Sequence, residues 1–233
     1  NLYECISKAD VDIVISGYSK FWDYNDNIVN VKHPYIVGLA NMNDFIVGFA
    51  NVQKNTGLFG CCASKIFKRV LCQGVKFDAN ISLAEDFDFY LKLYNKVDTI
   101  YFDDKCLYMY RQEAVNSSAI IEDESIDYFA QLQINLRYKQ FLISKCAFCG
   151  DNETIVEEKL ANYLYLSLFH CPENLMDLCL LDIKRAKQMY GINHICGNSF
   201  QKIILWMLNN EFYNSAKVMM LSYRFLRNVI RGK

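Results

Sequence analysis

The sequence carries only two prolines, ten glycines and three histidines in 233 residues, and its 25 lysines and arginines nearly cancel its 26 acidic residues. With 52% hydrophobic residues and so little proline and glycine, the chain is neither collagen-like nor disordered. A formal net charge of −1 supplies no global field for a nucleic-acid backbone, so nucleic acid is not an expected partner. No run approaches the roughly 18 uncharged apolar residues of a spanning helix. The opening Asn1-Leu2-Tyr3-Glu4-Cys5 lacks the basic-then-apolar order of a signal peptide, so a cytoplasmic chain is expected. Because residues 1–9 already follow an amphipathic pattern through Leu2, Cys5, Ile6 and Ala9, the chain reads as a piece of a longer protein.

The scarcity of histidine also limits the chemistry. His33, His170 and His194 form no HExxH and have no obvious nucleophile to activate, which leaves hydrolase triads without support. Gly57, Gly60 and Gly74 fit neither GxGxxG nor the phosphate-loop pattern. Several of the ten cysteines sit inside apolar runs, which reads as packed thiols in a reducing compartment. One pair, Cys146 and Cys149, has zinc-knuckle spacing, with Cys171, Cys179, Cys196, His170 and His194 as further donors. A single pair without a second CxxC favours packed thiols over zinc.

What is present is an α/β pattern followed by a helical one. Residues 11–18 contain consecutive Ile13, Val14 and Ile15, the mark of a strand covered on both faces, and residues 99–102 repeat it. Residues 23–30 read as a turn between edge segments, and residues 58–72 as a helix through Ile66, Phe67, Val70 and Leu71. Residues 85–96 place Phe87, Tyr90, Leu91 and Tyr94 on one helical face. Past residue 118, apolar residues recur at helical spacing over 123–143, 153–169, 175–190 and 199–212. Two domains are expected, an α/β one over 1–118 and a helical one over 119–233.

Among the carboxylates, Glu85 and Asp86 stand at a helix start, where free backbone N–H groups stabilise negative charge. Ser82 with Glu85 spells a capping box, while a fixed Asp86 after a loop can also serve as a general base toward a hydroxyl. Asp103-Asp104 reads as a chain turn more readily than as a metal site. The end of the chain is basic: Lys217, Arg224, Arg227, Arg231 and Lys233 face no acid after Glu211. The first four fall within about an 80° helical arc, with apolar residues around the rest. That pattern suits an anionic membrane surface through residues 217–233, on the inner face of the cell membrane. It also suits a helix docked on the domain with its basic edge in solvent.

The run Gly74-Val75-Lys76-Phe77-Asp78-Ala79-Asn80-Ile81-Ser82-Leu83-Ala84-Glu85-Asp86-Phe87-Asp88-Phe89, with Leu107-Tyr108-Met109-Tyr110-Arg111 downstream, resembles the family 2 glycosyltransferases of bacterial surface-polysaccharide synthesis. The resemblance spans roughly residues 1–118. It implies the C-terminal, acceptor-side portion of a GT-A (nucleotide-diphospho-sugar transferase) α/β fold, followed here by a helical extension. It implies an inverting transfer from a nucleotide sugar to a saccharide or lipid-linked acceptor. Asp86 matches the family's base and Glu85 its neighbour, while Tyr110 and Arg111 lie where the donor phosphates are closed over. A divalent cation, magnesium or manganese, is implied for the complete enzyme. Its DxD motif and the preceding nucleotide-binding segment are not expected in this chain, so the piece alone is expected to be inactive. Absence of QxxRW favours transfer of a single sugar. The competing expectation is a non-catalytic helical module that binds a partner or a membrane surface.

Overall fold

The computed structural model describes residues 2–23, 25–112 and 126–230. The chain divides into two compact units, Asn1–Ile126 with Arg137–Ile155, and Asp127–Leu136 with Val156–Lys233. The first unit is an α/β layer built on a five-stranded mixed sheet.

Strand β1 (Ile13–Trp22) lies at the centre, and its first seven residues are buried, as three consecutive β-branched residues require of a strand covered on both faces. On one side it pairs in parallel with β5 (Thr99–Gln112). On the other, its second half pairs with β2 (Asn25–Val31) and its first half with β4 (Lys65–Phe67), both antiparallel. Strand β3 (Gly38–Asn41) closes the sheet against the first part of β5. The expected turn at 23–30 is therefore mostly the second strand of a hairpin. Gly17 sits at the crossing of three strands: a Cβ there would lie 2.7 Å from the Val31 carbonyl oxygen and 2.8 Å from Cys106 Sγ.

Strand β5 slips against β1 in two steps. Ser16 pairs with Asp103 but Gly17 with Cys106, and Tyr18 pairs with Tyr108. Asp103-Asp104 thus lies inside a long strand, with a bulge at Asp104 and Lys105, where the sequence had suggested a chain turn, and Asp103 Oδ1 accepts from the Lys105 N–H at 3.1 Å.

Helix α1 (Leu2–Ala9) precedes the sheet, and α2 (Met42–Ile46) and α3 (Phe49–Thr56) follow β3. The helix expected over 58–72 does not form; β4 and a 3₁₀ turn (Arg69–Cys72) stand there instead. Gly57 at φ 67° ends α3 and Ser64 at φ 66° breaks the following segment, so its apolar residues reach the core from loops. Helix α4 (Glu85–Tyr94) forms as its periodicity predicts.

Aromatic rings fill the core of this unit. Phe49 is fully buried, stacked on Phe59 at 4.3 Å and ringed by Phe45, Tyr94, Tyr138 and Phe141. Asn152, also buried, accepts the Ala50 N–H at 2.8 Å and donates to the carbonyls of Ile46 and Ala147. All of its amide group is thereby satisfied by backbone, as burial demands.

The second unit is helical. Helices α5 (Tyr128–Ser144) and α6 (Gly150–His170) contribute to both units, and α7 (Met176–Tyr190), α8 (Ser199–Asn209) and α9 (Tyr213–Ile230) belong to the second. No described helix is long and apolar enough to cross a membrane.

Candidate active site

In the α/β unit a cleft of about 400 Å³ opens above the start of α4. Strand β1 supplies Tyr18 and Lys20, the end of α3 and the loop after it supply Gln53, Gly57, Gly60 and Cys61, residues 83–87 form the floor, and β5 adds Tyr110. Residues two apart on a strand share a face, so Tyr18 with Lys20, and Tyr108 with Tyr110, point the same way in register.

The loop wall is held by Gln53, whose Oε1 accepts the N–H groups of Phe59 at 2.9 Å and Gly60 at 3.0 Å. Gly60 is pressed on α4, where an added Cβ would come within 3.2 Å of Phe87. On the strand wall Tyr18 donates to the Thr56 carbonyl at 2.7 Å and meets Tyr110 edge to face at 6.1 Å. Burial pushes the Tyr18 hydroxyl up to about 12, which keeps it a donor.

Helix α4 starts differently from the sequence expectation. Its N-cap is Ala84 in the left-handed region, φ 61°, with no side-chain cap bond, so the expected Ser82–Glu85 capping box is absent. The reason is local: a left-handed N-cap turns the chain sharply before Glu85. A non-glycine residue in that region carries conformational strain, which is tolerated where the surroundings fix it. Glu85 and Asp86, both half-buried, then line the cleft in the first turn, with the helix N-terminus favouring their charge.

Close to Asp86 lies a group of proton-bearing side chains, of which Cys62 is exposed. Burial first, then a hydrogen bond to Asp86, push the Cys62 thiol up to about 12. The Tyr90 hydroxyl is raised by burial and by the neighbouring Cys62 and Asp86. Lys65 donates to the Cys61 carbonyl and its ammonium lies 4.6 Å from the centre of the Tyr90 ring. Desolvation pulls its pKa down to about 8 against the opposing charges of Cys61, Cys62 and Asp86. The carboxylate that faces the cleft thus has an exposed thiol and a half-buried lysine near it.

Of the four residues singled out by sequence, Asp86, Glu85 and Tyr110 line one cleft and Arg111 does not. Strand alternation sends Arg111 to the opposite face from Tyr110, where its guanidinium pairs with Asp23, the Nε bond measuring 2.7 Å. Sequence reasoning passed over Lys20, Gln53, Cys62 and Lys65. Only Lys20 had a readable signal, as a cation two residues from Tyr18 in a buried strand.

No group of three or more His, Cys, Asp or Glu side chains among the described residues is placed to hold a metal ion. Contrary to the expectation of no DxD, Asp86-Phe87-Asp88 spells one at the start of α4 and Asp10-Val11-Asp12 spells another before β1. The latter two carboxylates have structural partners: Asp10 pairs with Lys68 at 2.9 Å, and Asp12 accepts the N–H groups of Asp98 and Thr99 at 2.9 and 3.1 Å. Cys146 and Cys149 are exposed free thiols. Compared with known proteins, the chain matches no family model and no curated protein.

Proposed function

We propose that this chain is the acceptor-side part of an inverting, non-processive glycosyltransferase of the GT-A type, with Asp86 as its general base. The observation that carries the reading is that Asp86, released from helix capping, lines an open cleft together with Lys20 and Tyr110. In the proposed step the Asp86 carboxylate takes the proton of an acceptor hydroxyl. The freed oxygen bonds to the anomeric carbon from the side opposite the leaving group. The bond from that carbon to the phosphate oxygen breaks, and the nucleoside diphosphate departs with the electron pair.

The Cys62 thiol donating to Asp86 holds the carboxylate in place, and a base on a helix start moves little. Lys20 is the cation positioned to offset charge on the departing diphosphate, the task that the resemblance assigns to Arg111. The family's divalent cation has no fitting ligand set among the described residues, and no step here is routed through it. The donor-binding segment belongs to the complete protein in this reading.

In the complete protein, Asp86→Asn is expected to lower turnover by about a hundredfold or more with donor affinity kept, and Glu85→Gln to keep most of the turnover. Equal losses in the two variants would assign the effect to the helix start as a whole and sink the role given to Asp86.

A further inference from the structure

Helix α9 is docked the opposite way round from its charge pattern. Its buried residues are Ala216 and Met220, and the basic arc lies on that same side. Lys217 pairs with Asp177 at 2.5 Å, Arg224 donates to the Cys171 carbonyl at 2.6 Å, and Arg227 lies 5.2 Å from the centre of the Phe169 ring. The basic edge expected in solvent is thus turned onto the helical unit. The face turned to solvent is apolar: Val218, Phe225, Leu226, Val229 and Ile230 are 57–84% exposed.

At 100° per residue these five side chains occupy an arc of about 140°, and from Val218 to Ile230 the stripe runs about 18 Å. Leaving so many large apolar groups in water along one helix face is costly, and such a patch marks a binding surface.

We propose that α9 lies in the surface of an anionic lipid bilayer, with this apolar stripe inserted at the boundary of headgroups and acyl chains. Charge complementarity selects the occupant. From Phe212 to Lys233 there is no acidic residue, and neither Arg224 nor Arg227 has an acidic partner among the described residues. A second copy of α9 would bring the same net positive charge to the contact, whereas anionic headgroups attract this wholly basic segment. Arg224 and Arg227 then lie on the side of the helix away from the acyl chains, and Arg231 and Lys233 extend the same charge in sequence. The inference stands apart from the catalytic reading, because none of these residues lines the cleft.

The test is co-sedimentation of the full 233-residue chain with phosphatidylcholine vesicles made with and without phosphatidylglycerol. Binding is expected to need the anionic lipid and to weaken as salt screens the charges. Phe225→Gln with Val229→Gln is expected to lower partitioning by at least about tenfold, since each buried methylene contributes. The thermal midpoint should stay unchanged because both side chains point away from the docked face. Failure of the wild-type chain to bind anionic vesicles overturns the proposal, as does equal binding by the double variant. A self-associating chain that the double variant renders monomeric, with no vesicle binding, would instead assign the face to a second copy.

Discussion

Asp88 offers a quantitative test of how helix α4 is held. Its side chain is wholly buried in the first turn of α4, 2.6 Å from Arg137 Nε and 2.5 Å from Lys92 Nζ. Both cations retain about a third of their exposure, at 35% and 34%, and a cleft lined by Asp88, Lys92, Arg137 and Gln140 admits solvent beside them. The two sides of this cluster therefore respond differently to loss of a partner. Arg137→Met removes one of the two cations and leaves a buried carboxylate with Lys92 alone. Breaking a buried pair from that side costs about 3–5 kcal/mol, and the remaining lysine puts the expectation near 3. Asp88→Asn leaves two cations that can rehydrate, so its cost is expected at about 1–2 kcal/mol. The double variant should recover part of the sum, with a coupling of about 1–3 kcal/mol. Urea unfolding followed by circular dichroism, with slopes compared among the four proteins, measures all three quantities. Equal or greater loss in Asp88→Asn than in Arg137→Met would refute the reasoning, because the carboxylate would then not be the group that burial penalises.

Three further outcomes follow from the core and the sheet. Phe49→Ala empties the centre of the aromatic cluster and is expected to cost about 3–5 kcal/mol in the same unfolding assay. Gly17→Ala forces a Cβ onto the Val31 carbonyl and Cys106, and with backbone on one side it is expected to cost about 1–3 kcal/mol. His33 is buried and its Nδ1 accepts the N–H groups of Tyr35 and Ile36, so burial pushes its pKa down to about 4. Between that value and the ordinary value near 6.5 the unfolded chain holds a proton that the folded chain refuses. Stability is thus expected to fall as pH drops from about 6.5 toward 4, and His33→Gln to flatten that slope; an unchanged slope in the urea midpoint would remove His33 as its source.

How much the sequence disclosed depends on which physical signal each element carries. Ile13 to Ile15 announce β1 because three consecutive β-branched residues suit a doubly covered strand and little else. Strand β5 was legible only at Thr99–Phe102, since the bulge at Asp104 and Lys105 interrupts its alternation and reads as a break. The segment 58–72 has helical spacing yet forms no α-helix, because Gly57 and Ser64 take left-handed conformations that spacing cannot reveal. Ser82 and Glu85 match a capping box on paper, but Ala84 occupies the cap position and frees the acids for the cleft. The resemblance puts Tyr110 and Arg111 together over the donor phosphates, although neighbours in a strand face opposite ways. For α9 the charge pattern was visible and the docked face was not. Burial of Ala216 and Met220 decides it, and two modest apolar residues give no advance sign beside larger ones.

The central claim is that Asp86 takes the acceptor proton in the cleft, and its most direct test is the single-turnover rate of nucleoside diphosphate release by the complete protein with donor and acceptor both bound. The account predicts that Asp86→Asn lowers this rate by about a hundredfold or more while donor dissociation stays within about twofold of wild type. An unchanged single-turnover rate in that variant would contradict it.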